Sequence, residues 1–212
     1  MRHFEIYYHI AIMDSWKLSH DIIKSHFDSS NILDYCYKIN YCINGDISQA
    51  LDYLNVPADS KHVVHHLLPN VSQYEFPTIN LLRQQCINEE LDVLYIHTKG
   101  ASRRLNDRNA HNNHLDIMCY NCISNFQNFK SALDEGYDTA GTLFNDKPFV
   151  HYSGNFWWAK SEHVRKLIPL RYGIRNFNDR EHPDRHDAEK WLCSVPGNFF
   201  NLRLINKKSI NY

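Results

Sequence analysis

Two kinds of apolar pattern alternate along the first half of the chain. Short runs rich in aromatic and β-branched residues predict buried strands, and they fall at residues 4–12, 37–46, 61–70 and 91–97. Segments with apolar residues on one helical face predict helices, and they fall at residues 16–27, 48–56 and 76–90. Asp14 and Ser15 are placed to cap the first helix, and Pro77 lies at the start of the third.

This alternation is typical of an open α/β sheet with mostly parallel strands. We therefore expect a single Rossmann-like α/β domain with a central, mostly parallel sheet flanked by helices. In such sheets the ligand lies at the carboxyl ends of the strands. The second half of the chain predicts a long helical stretch at residues 109–136, and it shows no internal repeat and no linker composition.

Composition supports one ordinary globular domain. The chain has 212 residues, of which 43% are hydrophobic and 22% charged. With 23 basic and 24 acidic side chains it carries no broad positive field, so we expect no nucleic-acid partner. The first residues lack the pattern of a signal peptide, and no later run has the length to span a bilayer. We expect a soluble cytoplasmic protein, in the host cytoplasm if the source is a virus.

The six cysteines follow no repeated spacing, which favours reduced thiols. One segment does bring four zinc-ligand types close in sequence, namely His111, His114, Cys119 and Cys122. A helix rises about 1.5 Å per residue and would spread these four over roughly 16 Å, too far for one tetrahedral ion. We therefore do not expect structural zinc here.

The strand predicted at residues 91–97 ends in an unusual polar tip. His97, Thr98, Lys99 and Gly100 follow a buried run and offer hydrogen-bond donors and one cation. Because this tip would lie where open α/β sheets bind ligands, we expect it to be functional. The alternative, that Lys99 is a solvated residue of a loop, stays open.

Five segments carry a resemblance to a known family. They are YYHI at residues 7–10, YEFPTINLL at 74–82, LYIHTKG at 94–100, EGYDTAG at 135–141 and HYSGNFWWAKSEHVRKL at 151–167. The chain resembles glycosyltransferases of the GT-A type. It looks most like the glycosyltransferase-like proteins of large DNA viruses, algae and bacteria that carry YIHTKG and H(F/Y)SGNFWWA segments. The resemblance implies a nucleotide-binding half at residues 1–100 and an acceptor-side half at residues 101–212.

The resemblance also suggests where the donor binds. His97 and Lys99 stand where typical GT-A enzymes carry the two carboxylates of an Asp-x-Asp metal motif. A lysine and neighbouring amide or hydroxyl donors can stabilise a departing diphosphate in place of a metal. We expect Lys99 to contact the diphosphate beside Thr98 and the Gly100 amide, with His97 orienting them or binding phosphate. The nucleoside is expected near His9, Glu75 and Asn80.

A second set of residues is expected to hold the sugar or the acceptor. Sugars present hydroxyl edges and apolar faces, so their sites combine amides, hydroxyls and aromatic rings. Such groups occur together at His151, Ser153, Gly154, Asn155 and Trp157. The aromatic residues of this segment also fit a buried strand, and both roles stay open for them. Asp138 is a candidate for an acceptor hydroxyl or a metal.

An inverting transfer needs a carboxylate to take the proton of the acceptor hydroxyl. The resemblance places an acidic residue downstream, where Glu189 is our first candidate and Asp187 our second. Acidic residues near a helix start also serve as simple partners of the helix dipole, and that alternative stays open.

These observations predict a hexosyl- or pentosyltransferase that moves a sugar from a nucleoside diphosphate sugar, most plausibly a UDP-sugar, to a hydroxyl of a glycan or glycoprotein. No tightly bound cofactor is expected, and Mn²⁺ or Mg²⁺ is left open without an Asp-x-Asp motif to require it. One alternative is a non-catalytic carbohydrate-binding protein on the same scaffold, which would use Trp157, Trp158 and Asn155. A second is another nucleotide-using enzyme such as a nucleotidyltransferase.

Overall fold

The computed structural model describes residues 2–102, 109–174, 177 and 186–202. Within these ranges the strands are β1 (Phe4–Ala11), β2 (Lys38–Asn44), β3 (His62–Leu68), β4 (Asp92–His97), β5 (Thr139–Thr142), β6 (Phe144–Asn145), β7 (His151–Tyr152), β8 (Trp157–Lys160) and β9 (Phe199–Leu202). The helices are α1 (Trp16–Ser30), α2 (Ile32–Tyr35), α3 (Ile47–Leu54), α4 (Phe76–Asn88), α5 (Asn109–Cys119), α6 (Phe126–Asp134), α7 (Ser161–Arg165) and α8 (Asp187–Trp191), with a π-helical turn at Tyr120–Ser124.

Seven of these strands form one sheet in the order β3-β2-β1-β4-β8-β5-β9. Every neighbouring pair is parallel except the two that β8 makes with β4 and β5. Strands β6 and β7 pair separately as an antiparallel hairpin. The predicted α/β domain with a mostly parallel central sheet is confirmed, and the strands and helices of the first half lie where their patterns predicted.

Two apolar layers cover the faces of the sheet. Side chains of α1, α5 and α6 pack against one face, and those of α4, α7 and α8 pack against the other. Successive residues of a strand point to opposite faces, so Trp157 belongs to the layer with α4 and Trp158 to the layer with α1. None of the helices within the described ranges has the length and apolar content needed to cross a bilayer.

Local turn chemistry fixes the carboxyl edge of the sheet. Gly45 closes β2 with a φ of +118°, and a Cβ there would lie 2.6 Å from the Cβ of Ile12. The chain after β1 and the chain after β2 can therefore pass close together. Asp46 then caps α3 by accepting a hydrogen bond from the Ser48 amide at 3.0 Å.

Candidate functional site

The antiparallel pairing of β4 with β8 brings the two polar motifs together. Tyr95 lies opposite Trp157 in this pair, so the residues just before β8 lie beside the carboxyl end of β4. His97 Nε2 donates a hydrogen bond to the Gly154 carbonyl at 2.9 Å. The segments 94–100 and 151–160, which are far apart in sequence, thus form one site.

Glu75 lies at the centre of this site, at the N-cap of α4. Its Oε2 accepts hydrogen bonds from the Tyr95 hydroxyl at 2.7 Å and from Asn155 Nδ2 at 2.6 Å. Its Oε1 lies 3.6 Å from His97 Nδ1. Asn155 adopts a left-handed φ of +56° and also accepts a hydrogen bond from the Trp157 indole at 2.8 Å. The carboxylate is therefore held by three elements of the fold.

His9 lies beside Glu75 at the end of β1. The ring is buried, and its Nδ1 lies 2.8 Å from the hydroxyl of Thr78 on α4. Burial lowers the pKa of His9 to about 4, although the charge of Glu75 acts in the opposite direction. His9 is therefore a neutral imidazole at physiological pH.

Burial and the neighbouring groups shift the pKa values of Glu75 and His97, and both pKa values lie below their usual values. Burial raises the pKa of Glu75, but His97, His9 and the hydrogen bonds from Tyr95 and Asn155 outweigh it, and the pKa lies below its usual value. Burial lowers the pKa of His97, with Lys99 acting in the same direction and Glu75 and Glu189 opposing. Near neutral pH the site thus holds an ionised Glu75 and neutral imidazoles.

The turn after β4 is tied to its neighbours. The Ala11 amide donates to the Thr98 hydroxyl, and the Ser19 hydroxyl of α1 donates to the Lys99 carbonyl, each at 3.0 Å. Gly100 has a φ of +76°, a conformation that favours glycine. The Lys99 side chain is half-buried, and its ammonium pairs with no side chain in the part of the chain that the structure describes. Lys99 is thus a cation on a fixed turn.

Two adjoining cavities open at this edge of the sheet. The smaller, of about 230 Å³, is lined by His9, Glu75, His97, Thr98 and Gly100 with their neighbours. The larger, of about 920 Å³, lies at the start of α1 and beside the turn after β2. Met13 and Val71 line both cavities. Of the predicted donor residues, His9, Glu75, His97, Thr98 and Gly100 therefore line this cleft, whereas Lys99 and Asn80 line neither cavity.

Gly154 is required where the β7–β8 turn meets α5. Its φ is +88°, and a Cβ there would lie 2.2 Å from the sulfur of Met118. On the outer side of this turn the Ser153 hydroxyl lies 3.0 Å from His151 Nε2, while His151 Nδ1 donates to the Phe149 carbonyl at 2.9 Å. His151 and Ser153 thus lie on the hairpin next to the cleft, but neither lines the two cavities described above.

The structure corrects the role expected for Trp157. Its side chain is 1% exposed and stacks on Tyr95 with ring centroids 5.0 Å apart. Trp158 is fully buried on the opposite face. An indole that supports a sugar must be accessible, so the two tryptophans are core residues, and the carbohydrate-binding alternative loses the aromatic surface on which it depended.

Asn80 and Asp138 are not brought to the site. The Asn80 amide is used on both sides by the backbone of Leu170, at 2.8 and 2.9 Å. Asp138 precedes β5 and therefore lies at the amino-terminal edge of the sheet, level with Asp92 and roughly 16 Å from the end of β4. Its carboxylate accepts a hydrogen bond from the Asn198 amide at 2.8 Å. Both residues have structural partners instead.

The two catalytic candidates differ in exposure. Both lie on α8, where Asp187 is fully buried and Glu189 is half-buried. The charge of Glu189 raises the pKa of His97, although burial and Lys99 keep that pKa below its ordinary value. Glu189 therefore lies within range of a charge interaction with His97, although it lines neither cavity, whereas a buried Asp187 has no access to a substrate.

The described side chains at the end of β4 do not form a ligand set for Mg²⁺ or Mn²⁺, which favour several oxygen donors. Among the described residues that line the smaller cavity, Glu75 supplies the carboxylate, and one of its oxygens already accepts two hydrogen bonds. No group of three or more histidine, cysteine, aspartate or glutamate side chains within the described ranges could hold a metal ion. The side chain of His111 lies outside the described residues, and Cys119 and Cys122 are buried.

Several residues of the cleft were not predicted. Tyr95 and Thr78 support the charged groups, and Asp14, Lys17 and Asp46 line the larger cavity. The last three follow the carboxyl ends of β1 and β2, so the rule that ligands bind at strand ends could have indicated them. Tyr95 and Thr78 carry no such signal, because each belongs to an ordinary strand or helix pattern.

Comparison with known proteins places this site in a wider fold. The family model described as a domain of unknown function (DUF8361) matches residues 7–199. A crystal structure from Desulfovibrio desulfuricans G20, provisionally assigned as a nucleotide-diphospho-sugar transferase, matches with a TM-score of 0.53 and 10% identity over 96% of this chain and 80% of the other. The 4-diphosphocytidyl-2C-methyl-D-erythritol synthase of Anaerococcus prevotii DSM 20548 matches with a TM-score of 0.50 and 9% identity over 97% and 90%.

No curated protein sequence matches the chain. At these identities the structural matches show the fold alone. The fold is therefore that of nucleotide-diphospho-sugar transferases and related nucleotidyltransferases.

Proposed function

The chain belongs to the DUF8361 family, a domain of unknown function, and from the chemistry of its cleft we propose that it is a glycosyltransferase. It moves a sugar from a nucleoside diphosphate sugar, with a UDP-sugar as the first choice, to a hydroxyl of a glycan or glycoprotein. The observation that carries this proposal is the pair of adjoining cavities at the carboxyl edge of the sheet, next to the turn that carries Lys99. A nucleotide sugar has the same two-part shape, with a nucleoside and a sugar joined by a charged diphosphate.

The sizes of the cavities suggest how the donor lies. The larger, of about 920 Å³, is within the range of about 300–1,000 Å³ found for small-molecule sites. The smaller, of about 230 Å³, is below that range and suits a single ring. The nucleoside therefore occupies the larger cavity and the sugar occupies the smaller, so His9 and Glu75, which the sequence placed near the nucleoside, contact the sugar instead.

The diphosphate lies between them, near the start of α1 and the turn after β4. The amino end of a helix carries unpaired amide hydrogens and a partial positive charge, which favour phosphate. The Ser15 amide donates to the Ala101 carbonyl at 2.9 Å, so the start of α1 and this turn are joined. Lys99 adds a full positive charge there.

These groups stabilise the charge that develops during transfer. The acceptor oxygen forms a bond to the anomeric carbon of the sugar while the bond from that carbon to the diphosphate oxygen breaks. Lys99 and the Gly100 amide stabilise the departing diphosphate, and Thr98 and His97 hold the turn in place. Glu189 takes the proton of the acceptor hydroxyl. No step of this scheme is assigned to a metal ion, because the described residues at the β4 tip gather too few oxygen ligands for one.

Calorimetric titration with UDP tests the proposal most directly. We expect UDP to bind in the presence of EDTA. A parallel titration with added Mn²⁺ measures the contribution of the metal to UDP affinity. Release of UDP from a UDP-sugar in the presence of a glycan acceptor then tests transfer. Binding of glycans without binding of UDP would contradict the proposal and favour the non-catalytic alternative.

A further inference from the structure

The smaller cavity has an unusual charge pattern at its floor. Three ionisable side chains reach it from different elements: His9 from β1, Glu75 from the start of α4 and His97 from the end of β4. Lys99 and Glu189 line neither cavity, and their charges shift the pKa of His97 in opposite directions, Lys99 lowering it and Glu189 raising it. The charge of the floor itself depends on the first three residues.

Glu75 provides a carboxylate that is fixed in place. Both hydrogen bonds from the surrounding protein, from Tyr95 and Asn155, go to Oε2. Within the described part of the chain Oε1 accepts no hydrogen bond, and His97 Nδ1 lies 3.6 Å from it, which is too long for one. One carboxylate oxygen therefore remains for a ligand in the cavity.

The two imidazoles leave this charge largely uncompensated. His97 donates from Nε2 to the Gly154 carbonyl, so the neutral ring carries its hydrogen there and turns its unprotonated Nδ1 towards Glu75. His9 engages Thr78 through Nδ1 and has no second partner among the described residues, although its ring is 2% exposed and lines the cavity. The low pKa of His9 and the lowered pKa of His97 keep both rings neutral near pH 7.

We propose that the smaller cavity selects donors by charge, accepting sugars with neutral hydroxyls or an amino group and rejecting sugars that carry a carboxylate. A sugar hydroxyl or ammonium group donates to Glu75 Oε1, whereas a uronic acid would place a second negative charge beside it. The inference rests on the proposed function, because it assigns the sugar of the donor to this cavity. Placing like charges together without solvent weakens binding by on the order of 100-fold.

Two matched pairs of donors test this selection. UDP-glucose and UDP-glucuronate differ only at the exocyclic carbon, and so do UDP-galactose and UDP-galacturonate. We expect the wild-type protein to bind at least one neutral donor roughly 100-fold more tightly than its acidic partner. Glu75→Gln should reduce that ratio to less than about 10-fold, because the acidic donor gains affinity relative to the neutral donor of the same pair.

A change in total charge must be separated from a change in the cavity. Asp28→Asn provides the control, because Asp28 pairs with Lys24 on the exposed side of α1 and its removal changes the net charge equally. We expect this variant to keep the wild-type ratio. The wild-type comparison needs no variant, so the proposal stays testable even if Glu75→Gln fails to fold.

The outcomes distinguish the two levels of the proposal. If UDP binds and the acidic donors bind as tightly as the neutral ones, charge selection is overturned while the glycosyltransferase proposal stands. If Glu75→Gln folds and leaves a strong preference unchanged, Glu75 is not its cause and the inference is overturned. If neither UDP nor any of the four donors binds, both proposals are overturned.

Discussion

Glu75 and His97 face each other at the floor of the cleft, with Glu75 Oε1 3.6 Å from His97 Nδ1. One turn holds both residues, since Asn155 donates to Glu75 and the neighbouring Gly154 accepts from His97. The turn before β8 therefore fixes both members of the pair. A change in that turn should affect the cleft even though Gly154 and Asn155 are buried.

The first prediction concerns Lys99. Lys99→Ala should weaken UDP binding by about 10- to 100-fold, because a charge-assisted contact to phosphate contributes about 1.5–3 kcal/mol. Lys99→Arg should retain part of the affinity. Calorimetry provides the measurement, with Lys24→Ala as the control because Lys24 lies on the exposed face of α1 and pairs with Asp28. Unchanged affinity in Lys99→Ala would rule out a contact with the diphosphate.

The second prediction concerns Glu189. Glu189→Gln should lower the rate of sugar transfer by about 10²- to 10⁴-fold, the range found for loss of a general base, with UDP affinity retained. Initial rates of UDP release at saturating donor would measure this effect. Glu162→Gln is a suitable control, since Glu162 pairs with Arg2 beside Asp92 at the opposite edge of the sheet. A Glu189→Gln protein with wild-type turnover would exclude the residue as the base.

The third prediction separates close packing from backbone strain. Gly154→Ala should destabilise the protein by roughly 2–4 kcal/mol, because the new Cβ lies 2.2 Å from Met118 Sδ and the φ of +88° disfavours alanine. Gly136→Ala has a similar strained φ of +110° but no atom within 4 Å of the new Cβ, and should cost only about 1 kcal/mol.

Urea unfolding of both glycine variants measures the difference. Equal losses of stability would mean that Met118 moves aside without cost. A larger loss in Gly154→Ala, accompanied by weaker binding of UDP-sugars than of UDP, would show that the turn also shapes the sugar cavity.

The sequence predicted the first half of the fold well because its strands and helices are local patterns. The apolar residues recur with the period of a strand in β1 to β4 and with the period of a helix in α1, α3 and α4. Gly45 likewise indicates the turn after β2. The location of the β4 tip follows from the same rule, since parallel strands place their carboxyl ends together.

The arrangement of the second half depends on contacts between distant segments. Nothing local in β8 indicates that it inserts between β4 and β5 in the antiparallel sense. Aromatic residues suit a core and a sugar site equally, so Trp157 could not be assigned without its neighbours. Asp138 was likewise predicted to bind a ligand, because the sequence does not show its hydrogen-bond donor. That donor is the Asn198 amide, sixty residues away in sequence.

The last prediction concerns pH and stability. In the unfolded chain His9 has an ordinary pKa of about 6.5, whereas burial lowers it to about 4 in the folded protein. Between these values the unfolded chain binds a proton that the folded protein does not, so stability is fully present above about pH 6.5 and falls as the pH decreases towards 4. The shift corresponds to about 3 kcal/mol in total. Burial also lowers the pKa of other histidines, which act in the same direction, namely His20, His65, His97 and His163.

Urea unfolding at pH 7.5 and pH 5 measures this effect. The wild-type protein should lose at least about 2 kcal/mol between the two values, and His9→Asn should lose about 2 kcal/mol less because one proton-linked group is gone. His3→Asn is the control, since His3 is exposed and loses little hydration on folding. A His9→Asn protein that folds and keeps the full wild-type pH dependence would show that His9 is not held neutral in the native cleft.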